Sequence, residues 1–136
     1  MLLLSNQNIT DNHAVAISNF LHNGSQLTHL DLSKNFIGLK GANAILSCLT
    51  NNNTLKKLNL SDNHIKGIPS FYSLKYNNKL DDLNLSRTSI GVEGCDALID
   101  ALLQNSTSHI CKLDLKYEGI GEEQVRKKKK IFSKAS

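Results

Sequence analysis

The sequence predicts an α/β solenoid, in which short parallel strands alternate with helices along one continuous stack. The main observation is a leucine phrase that occurs five times, beginning at Leu2, Leu30, Leu58, Leu83 and Leu113 with spacings of 28, 28, 25 and 30 residues. The second observation is that segments with helical periodicity separate the copies. A unit of this length cannot bury its own apolar face, so it must stack on its neighbours.

The strand of each unit is predicted from a central Leu-x-Leu, which alternates with period two. This pattern points both leucines inward and the residue between them toward solvent. Asn35 and Asn63 stand at the ninth position of their copies, where an amide satisfies backbone groups as the chain turns. Because Gln7, Thr88 and Glu118 stand at that position in the other copies, the asparagine ladder is expected to be complete only in the middle.

Three longer segments between the strands have apolar residues three and four positions apart, as expected of helices with one buried face. The predicted inward residues are Ala14, Ile17, Phe20 and Leu21, then Ala42, Ile45, Leu46 and Leu49, then Cys95, Leu98, Leu102 and Leu103. Each crossover carries its helix over the same side of the sheet, so neighbouring strands are predicted to be parallel.

One shorter, irregular repeat is predicted at 65–80, where the only proline follows Ile68. Proline suits a first helical turn and little beyond it, which predicts a short helix or a 3₁₀ turn here. Phe71 and Leu74 are expected to fill the core where a helix is missing. The alternative reading makes Tyr72 or Tyr76 an exposed contact.

The units at 27–45 and 90–98 carry a family resemblance. Leu-x-x-Leu-Asp-Leu-Ser-x-Asn-x-Ile-Gly followed by Gly-Ala-x-Ala-Ile resembles the ribonuclease-inhibitor type of leucine-rich repeat. The resemblance implies a short horseshoe with a concave parallel sheet and convex helices, and a non-enzymatic binder of other proteins. The composition, rich in asparagine and lysine, also resembles leucine-rich-repeat effectors of intracellular bacteria.

The charge divides the chain into two parts: a solenoid of about five repeats at 1–125 and a C-terminal capping helix with a basic tail at 121–136. Of the 16 cations, six lie at 126–134 with no acid among them, so residues 1–125 hold ten cations against 12 acids. The body is therefore mildly acidic despite a net charge of +4. The basic run is read first as the solvated end of a helix and, alternatively, as a contact to anionic lipid or nucleic acid.

Catalysis, a cofactor and a metal site are not expected. The five histidines never fall at metal-ligand spacing, and no glycine-rich loop or nucleophile elbow is present. The cysteines show no pairing motif, and Cys48 and Cys95 fit reduced core thiols. With no long apolar stretch, a cytoplasmic location is expected, which is the host cytosol if the chain is a secreted effector.

The candidate site is the concave face, where the residues between inward leucines form columns across the strands. The predicted partner-binding residues are His29, Asp31, Lys34, Lys57, Asn59, Asp62, Asp82, Asn84, Arg87, Lys112, Asp114 and Tyr117. Leu3 and the first strand edge are expected to be open unless a longer solenoid, a partner or a second copy covers them.

The sequence predicts one function and leaves one alternative open. The first is a module that binds one folded protein through the concave face and adjoining loops. The partner is expected to be an enzyme whose active site the module covers and inhibits. In a bacterial context, the module would act as an effector or effector regulator. The alternative is an adaptor that the basic tail recruits to an anionic membrane or to nucleic acid.

Overall fold

The computed structural model describes residues 1–134, over which the chain forms five short strands, four helices and one 3₁₀ turn. The strands are β1 (Leu2–Leu3), β2 (His29–Asp31), β3 (Lys57–Asn59), β4 (Asp82–Asn84) and β5 (Lys112–Asp114). The helices are α1 (Asp11–His22), α2 (Leu39–Cys48), α3 (Gly91–Gln104) and α4 (Glu122–Lys134), and the 3₁₀ turn is Tyr72–Lys75. This alternation confirms the predicted α/β solenoid.

The strands form one parallel sheet in the order in which they occur along the chain. Leu30 pairs with Leu2 on one side and with Leu58 on the other, and Leu83 continues the row to Leu113. Equivalent repeat positions therefore lie side by side, so the five leucine phrases share one ribbon as predicted.

The core lies between the sheet and the helices and is made of these stacked leucines. Leu32, Leu60, Leu85 and Leu115 are each no more than 1% exposed. Burial of one such side chain stabilises the fold by about 1.5 to 3 kcal/mol relative to exposure. In the first copy the equivalent Leu4 is only half-buried.

The predicted inward face is correct for α2 and wrong at one residue of α1. Phe20 is 56% exposed, whereas Ser18 is buried and donates its hydroxyl proton to the Val15 carbonyl at 2.6 Å. Ala14, Ser18 and Leu21 form the buried stripe at i, i+4 and i+7. At about 100° per residue, Phe20 lies roughly 130° from the centre of that stripe, so it points out of the core.

Asn35 and Asn63 each join two neighbouring repeats, as predicted for the ladder. The Asn63 Oδ1 accepts the Ile37 N–H at 2.9 Å, and its Nδ2 donates to the Leu32 and Leu60 carbonyls at 2.9 and 3.0 Å. Asn35 makes the corresponding bonds to the first copy, including one from the Ile9 N–H at 2.9 Å. Each amide thereby satisfies both donors and acceptors of turns that stacking removes from water.

A second asparagine ladder, which the sequence analysis missed, runs along the opposite end of the strands. Asn77 donates from Nδ2 to the Leu49 carbonyl at 2.8 Å and to the Asn52 carbonyl at 3.1 Å. Asn105 repeats this arrangement one unit later, with a 2.8 Å bond to the Asn77 carbonyl. Both ends of the sheet are thus connected from repeat to repeat by buried amides.

The irregular repeat contains the predicted 3₁₀ turn at Tyr72–Lys75 in place of a helix. Phe71 and Leu74 are buried at 4% and 1% exposure, so they fill the core, while Tyr72 and Tyr76 are both 58% exposed. The core-filling reading of this segment is therefore confirmed, and a contact through the exposed tyrosines stays a prediction. Helix α4 lies within the predicted capping segment 121–136, of which residues 135–136 lie outside the described residues. The division of the chain into a solenoid and a cap stays a prediction.

Candidate functional site

The first concave column is formed by side chains at one register position of four neighbouring strands. His29 pairs with Lys57, Lys57 with Asp82, and Asp82 with Lys112. Because side chains at one register position share a face of the sheet, these four predicted residues come together. The Lys112 Nζ lies 3.7 Å from the Asp82 Oδ2, and both side chains keep contact with solvent.

The second column, two positions further along each strand, has a structural role that the sequence analysis missed. Asp31, Asn59, Asn84 and Asp114 each accept, through Oδ1, the backbone N–H of the residue two positions later, at 2.9 to 3.0 Å. These Asx turns end the strands. One oxygen of each side chain is therefore engaged internally, which fixes the side chain and leaves it half-exposed.

The third column lies in the turns that follow the strands, and its backbone is unusual. All five members have φ between 54° and 65°: Asn6, Lys34, Asp62, Arg87 and Tyr117. Non-glycine residues seldom adopt this left-handed conformation. In the first four members, the backbone N–H donates to a carbonyl of the next repeat, as in the 2.9 Å bond from the Lys34 N–H to the Ser61 carbonyl.

Arg87 is held between two other members of this column. Its guanidinium carbon lies 4.3 Å from the centre of the Tyr117 ring, and its Nη1 lies 3.7 Å from the Asp62 Oδ1. The pKa of Arg87 is raised, first by Tyr117 and less by Asp62. Tyr117 is 73% exposed, so this cation–π pair presents a pre-positioned aromatic ring and cation to an incoming surface.

The concave face is apolar at one end, where two exposed residues lie that are not among the predicted partner-binding residues. Met1 and Leu3 are 74% and 64% exposed, and they line the same concavity as His29, Asp31 and Lys57. Leu3 is in register with Asp31, so it extends the second column. The alternation in Leu2-Leu3-Leu4 is the signal that adds Leu3 to the site.

The basic run 126–130 is helical, and its residues differ in their surroundings. Lys127 lies 3.8 Å from Asp96 and 3.6 Å from Glu123, measured between Nζ and carboxylate oxygens. Ile131 is only 3% exposed, so it anchors α4 on the body. The cations that point to solvent are Arg126, Lys129 and Lys130.

The described residues contain no group of three or more histidine, cysteine or acidic side chains able to hold a metal ion. Cys48 and Cys95 are buried and unpaired, and Cys111 is exposed. Burial raises the pKa of both buried thiols, for Cys95 to about 12, which opposes formation of a reactive thiolate. Between residues 1 and 134, none of the helices has both the length and the apolar character needed to cross a bilayer.

Similar proteins are found among family models, curated proteins and solved structures. The family model described as "Leucine Rich repeat" matches residues 26–46, 51–67 and 76–98. The RAN GTPase-activating protein 2 of Arabidopsis thaliana is 30% identical over 133 residues, which cover 94% of this chain and 24% of that protein. The chain thus spans about a quarter of the length of this curated relative.

The solved structure of the leiomodin-1 actin-binding site 2 matches with a TM-score of 0.80 at 22% identity, covering 98% of this chain and 78% of that one. This likeness shows the fold. Together with the matched repeats and the five-stranded parallel sheet, it identifies the chain as a short leucine-rich-repeat solenoid.

Proposed function

We propose that this chain is a protein-interaction module that binds one folded partner through its concave face and the turns after the strands. The observation that carries the proposal is the in-register arrangement of two columns of side chains on one continuous sheet, with a third column in the turns that follow the strands. Mixed charges, with the Arg87–Tyr117 pair among them, suit a polar protein interface better than a small-molecule pocket.

The proposed partner is an enzyme that the module inhibits by covering its active site. The name of the Arabidopsis relative says that it activates a GTPase, so the relative suggests the class of partner and not the inhibition. A Ran-type GTPase is therefore the first enzyme to test. Cytoplasmic action, and a role as a bacterial effector or effector regulator, stay predictions.

Arg87 and Tyr117 are the proposed anchors, because arginine and tyrosine dominate many interface energies. Their side chains are exposed, and neither supports the core. The second column is less suitable for mutation, because truncation of Asp31 or Asn59 also removes an Asx-turn hydrogen bond. The double variant Arg87→Ala/Tyr117→Ala therefore separates binding from folding.

The deciding experiment measures binding of the purified chain to the GTPase by calorimetry, with the GTPase loaded in turn with GDP and with a non-hydrolysable GTP analogue. The double variant is expected to weaken binding by about tenfold or more. Arg126→Ala, which removes an exposed arginine far along the chain on α4, is the matched control. Unchanged affinity of the double variant with an unchanged melting temperature contradicts the concave assignment.

A GTP-hydrolysis assay tests the inhibitory part separately. We expect hydrolysis by the GTPase to slow as the chain is added and to recover with the double variant. Acceleration of hydrolysis, or no effect at saturating chain, contradicts inhibition and leaves the binding result standing.

The alternative function, an adaptor recruited by the basic tail, has one supporting observation: Arg126, Lys129 and Lys130 all point to solvent on α4. Deletion of the tail is a poor test, because it removes the buried Ile131. Substitution of these three cations by glutamine leaves that anchor in place. Salt-dependent retention on anionic liposomes or DNA that the triple variant loses supports the adaptor, and equal retention of the variant contradicts it.

A further inference from the structure

The convex side of the solenoid is interrupted at the irregular repeat. Within residues 1–134, α2 and α3 make no contact with each other, and only the segment around Tyr72–Lys75 lies between them. This segment is fastened to α2 by two bonds: the Ser70 N–H donates to the Asn43 Oδ1 at 2.8 Å, and the Ser73 hydroxyl donates to the Leu46 carbonyl at 2.6 Å. The helical layer therefore has a gap at this repeat, and the segment that lies in the gap is held firmly to α2.

Two tyrosines occupy the outer surface of this gap. Tyr72 and Tyr76 are each 58% exposed, and their ring centres lie 5.3 Å apart in an edge-to-face arrangement. The Lys75 Nζ lies 5.6 Å from the centre of the Tyr72 ring. Phe71 and Leu74 already fill the core beneath, so packing of the fold does not account for the tyrosine pair.

The local charge is positive on a body that is negative. Residues 63–80 contain Lys66, Lys75 and Lys79 and no acidic residue, whereas residues 1–125 together hold more acids than cations. An approaching acidic segment is therefore attracted to this stretch.

We propose that Tyr72, Lys75 and Tyr76 form a second docking surface, which takes an acidic peptide segment of a partner protein that carries an aromatic side chain. The aromatic side chain packs on the tyrosine pair, which offers large, rigid contact area. A neighbouring carboxylate pairs with the Lys75 ammonium, which the Tyr72 ring already holds nearby. Because the surface lies on the convex side, it is available while the concave face is occupied.

The test uses synthetic peptides and the intact, uniformly ¹⁵N-labelled chain. The probe is an extended peptide with one tryptophan flanked by aspartates and glutamates. Two reference peptides replace the acids with lysines or the tryptophan with alanine. We expect the probe to shift the amide resonances of 72–76 selectively, with each reference peptide binding about tenfold more weakly.

The variant Tyr72→Ala/Tyr76→Ala keeps the buried Phe71 and Leu74, and it is expected to weaken probe binding by about tenfold or more. Tyr117→Ala, which removes the exposed tyrosine of the concave rim, is the matched control and should bind the probe like the unsubstituted chain. Lys75→Glu should weaken binding and reduce its salt dependence. The Tyr117→Ala control also separates the two surfaces: a variant that no longer binds a partner through the concave face should still bind the probe.

Four results overturn the proposal. The first three are shifts that map to α4 or to the concave strands, equal binding by the double tyrosine variant, and no binding of the probe up to about 1 mM. Equal binding of the acidic and lysine-containing peptides also overturns it, because the assignment of partner charge depends on that difference.

Discussion

The Glu118 carboxylate accepts the backbone N–H of Thr88 at 2.6 Å, in the repeat position that Asn35 and Asn63 occupy in their own units. It also accepts the N–H groups of Ser89 and Gly91 at 3.2 and 3.1 Å. A carboxylate accepts but cannot donate. The donor part of the asparagine's role is therefore taken by the Thr88 hydroxyl, which lies 2.7 Å from the Leu85 carbonyl.

Glu118→Ala is expected to destabilise the protein by about 2 to 4 kcal/mol, because it leaves three backbone N–H groups beneath the last repeat without an acceptor. Glu118→Gln keeps one oxygen but turns an amide donor toward another N–H, so we expect an intermediate loss. The free energy of unfolding in urea measures both. Glu122→Gln, an exposed carboxylate in the first turn of α4, should change it by less than about 1 kcal/mol. A Glu118→Ala variant as stable as this control contradicts the assigned role.

Gly41→Ala should destabilise the protein although alanine is the better helix former by about 1 kcal/mol. A Cβ at this position would lie 2.6 Å from the Asp11 Oδ1 and 2.9 Å from both the Ala14 Cβ and the Ile37 Cγ2. The Asp11 carboxylate cannot retreat easily, because it accepts the N–H groups of Gly38 and Gly41 at 2.7 and 2.9 Å. We expect a net loss of about 1 to 3 kcal/mol, measured as a lower melting temperature.

Gly121→Ala is the matched control for that substitution. The nearest atom to its added Cβ is the Gln124 Oε1 at 3.6 Å, which is ordinary contact. This variant should melt within a few degrees of the unsubstituted chain. Equal losses at the two positions would show that the close approach around Gly41 is unimportant.

The strands of this fold were predictable because every repeat must bury the same pair of leucines against its neighbours, and this requirement recurs every 25 to 30 residues. The alternation in Leu30-Asp31-Leu32 fixes both the inward leucines and the outward column, which is why the concave residues of neighbouring repeats come together as expected. Periodicity determines only which face a residue occupies. The identity of the partner depends on the surface of another molecule, and it leaves no periodic signal in this chain.

The parts that sequence reasoning missed are those where different residue types solve the same hydrogen-bonding problem. Thr88 and Glu118 interrupt the asparagine pattern in sequence and complete it in three dimensions. The second ladder was hidden because Asn77 and Asn105 stand in polar runs that also suit ordinary turns. Phe20 has helical spacing, yet the stripe through Ser18 shows that a small polar residue can occupy the inner face.

Leu58→Ala should cost about 2 to 5 kcal/mol in the free energy of unfolding. Leu58 is 1% exposed and lies at the middle of the leucine row between Leu30 and Leu83. Leu3→Ala is the comparison, because Leu3 is 64% exposed and should lose less than about 1 kcal/mol. An unmoved unfolding midpoint for Leu58→Ala contradicts the shared core.

The stability of the protein should fall with rising pH in the alkaline range partly because of Cys95. Burial, followed by the negative charges of Glu118 and Asp96, raises the pKa of this thiol from 9.0 to about 12. Between these values the unfolded chain releases the proton and the folded protein keeps it, so the folded state binds more protons and stability is lost as pH rises through this window. Below pH 9.0 both states hold the proton, and the contribution is constant.

Urea unfolding of the unsubstituted chain and of Cys95→Ala at several pH values between about 7 and 11 isolates this contribution, because lysine and tyrosine titrations are common to both. The difference in unfolding free energy between the two proteins should be flat at neutral pH and should shift in favour of Cys95→Ala above pH 9.0. Cys111→Ala removes an exposed thiol and should follow the unsubstituted chain throughout. If Cys95→Ala shows the same pH dependence as the unsubstituted chain, the Cys95 thiol is not held protonated by the folded core.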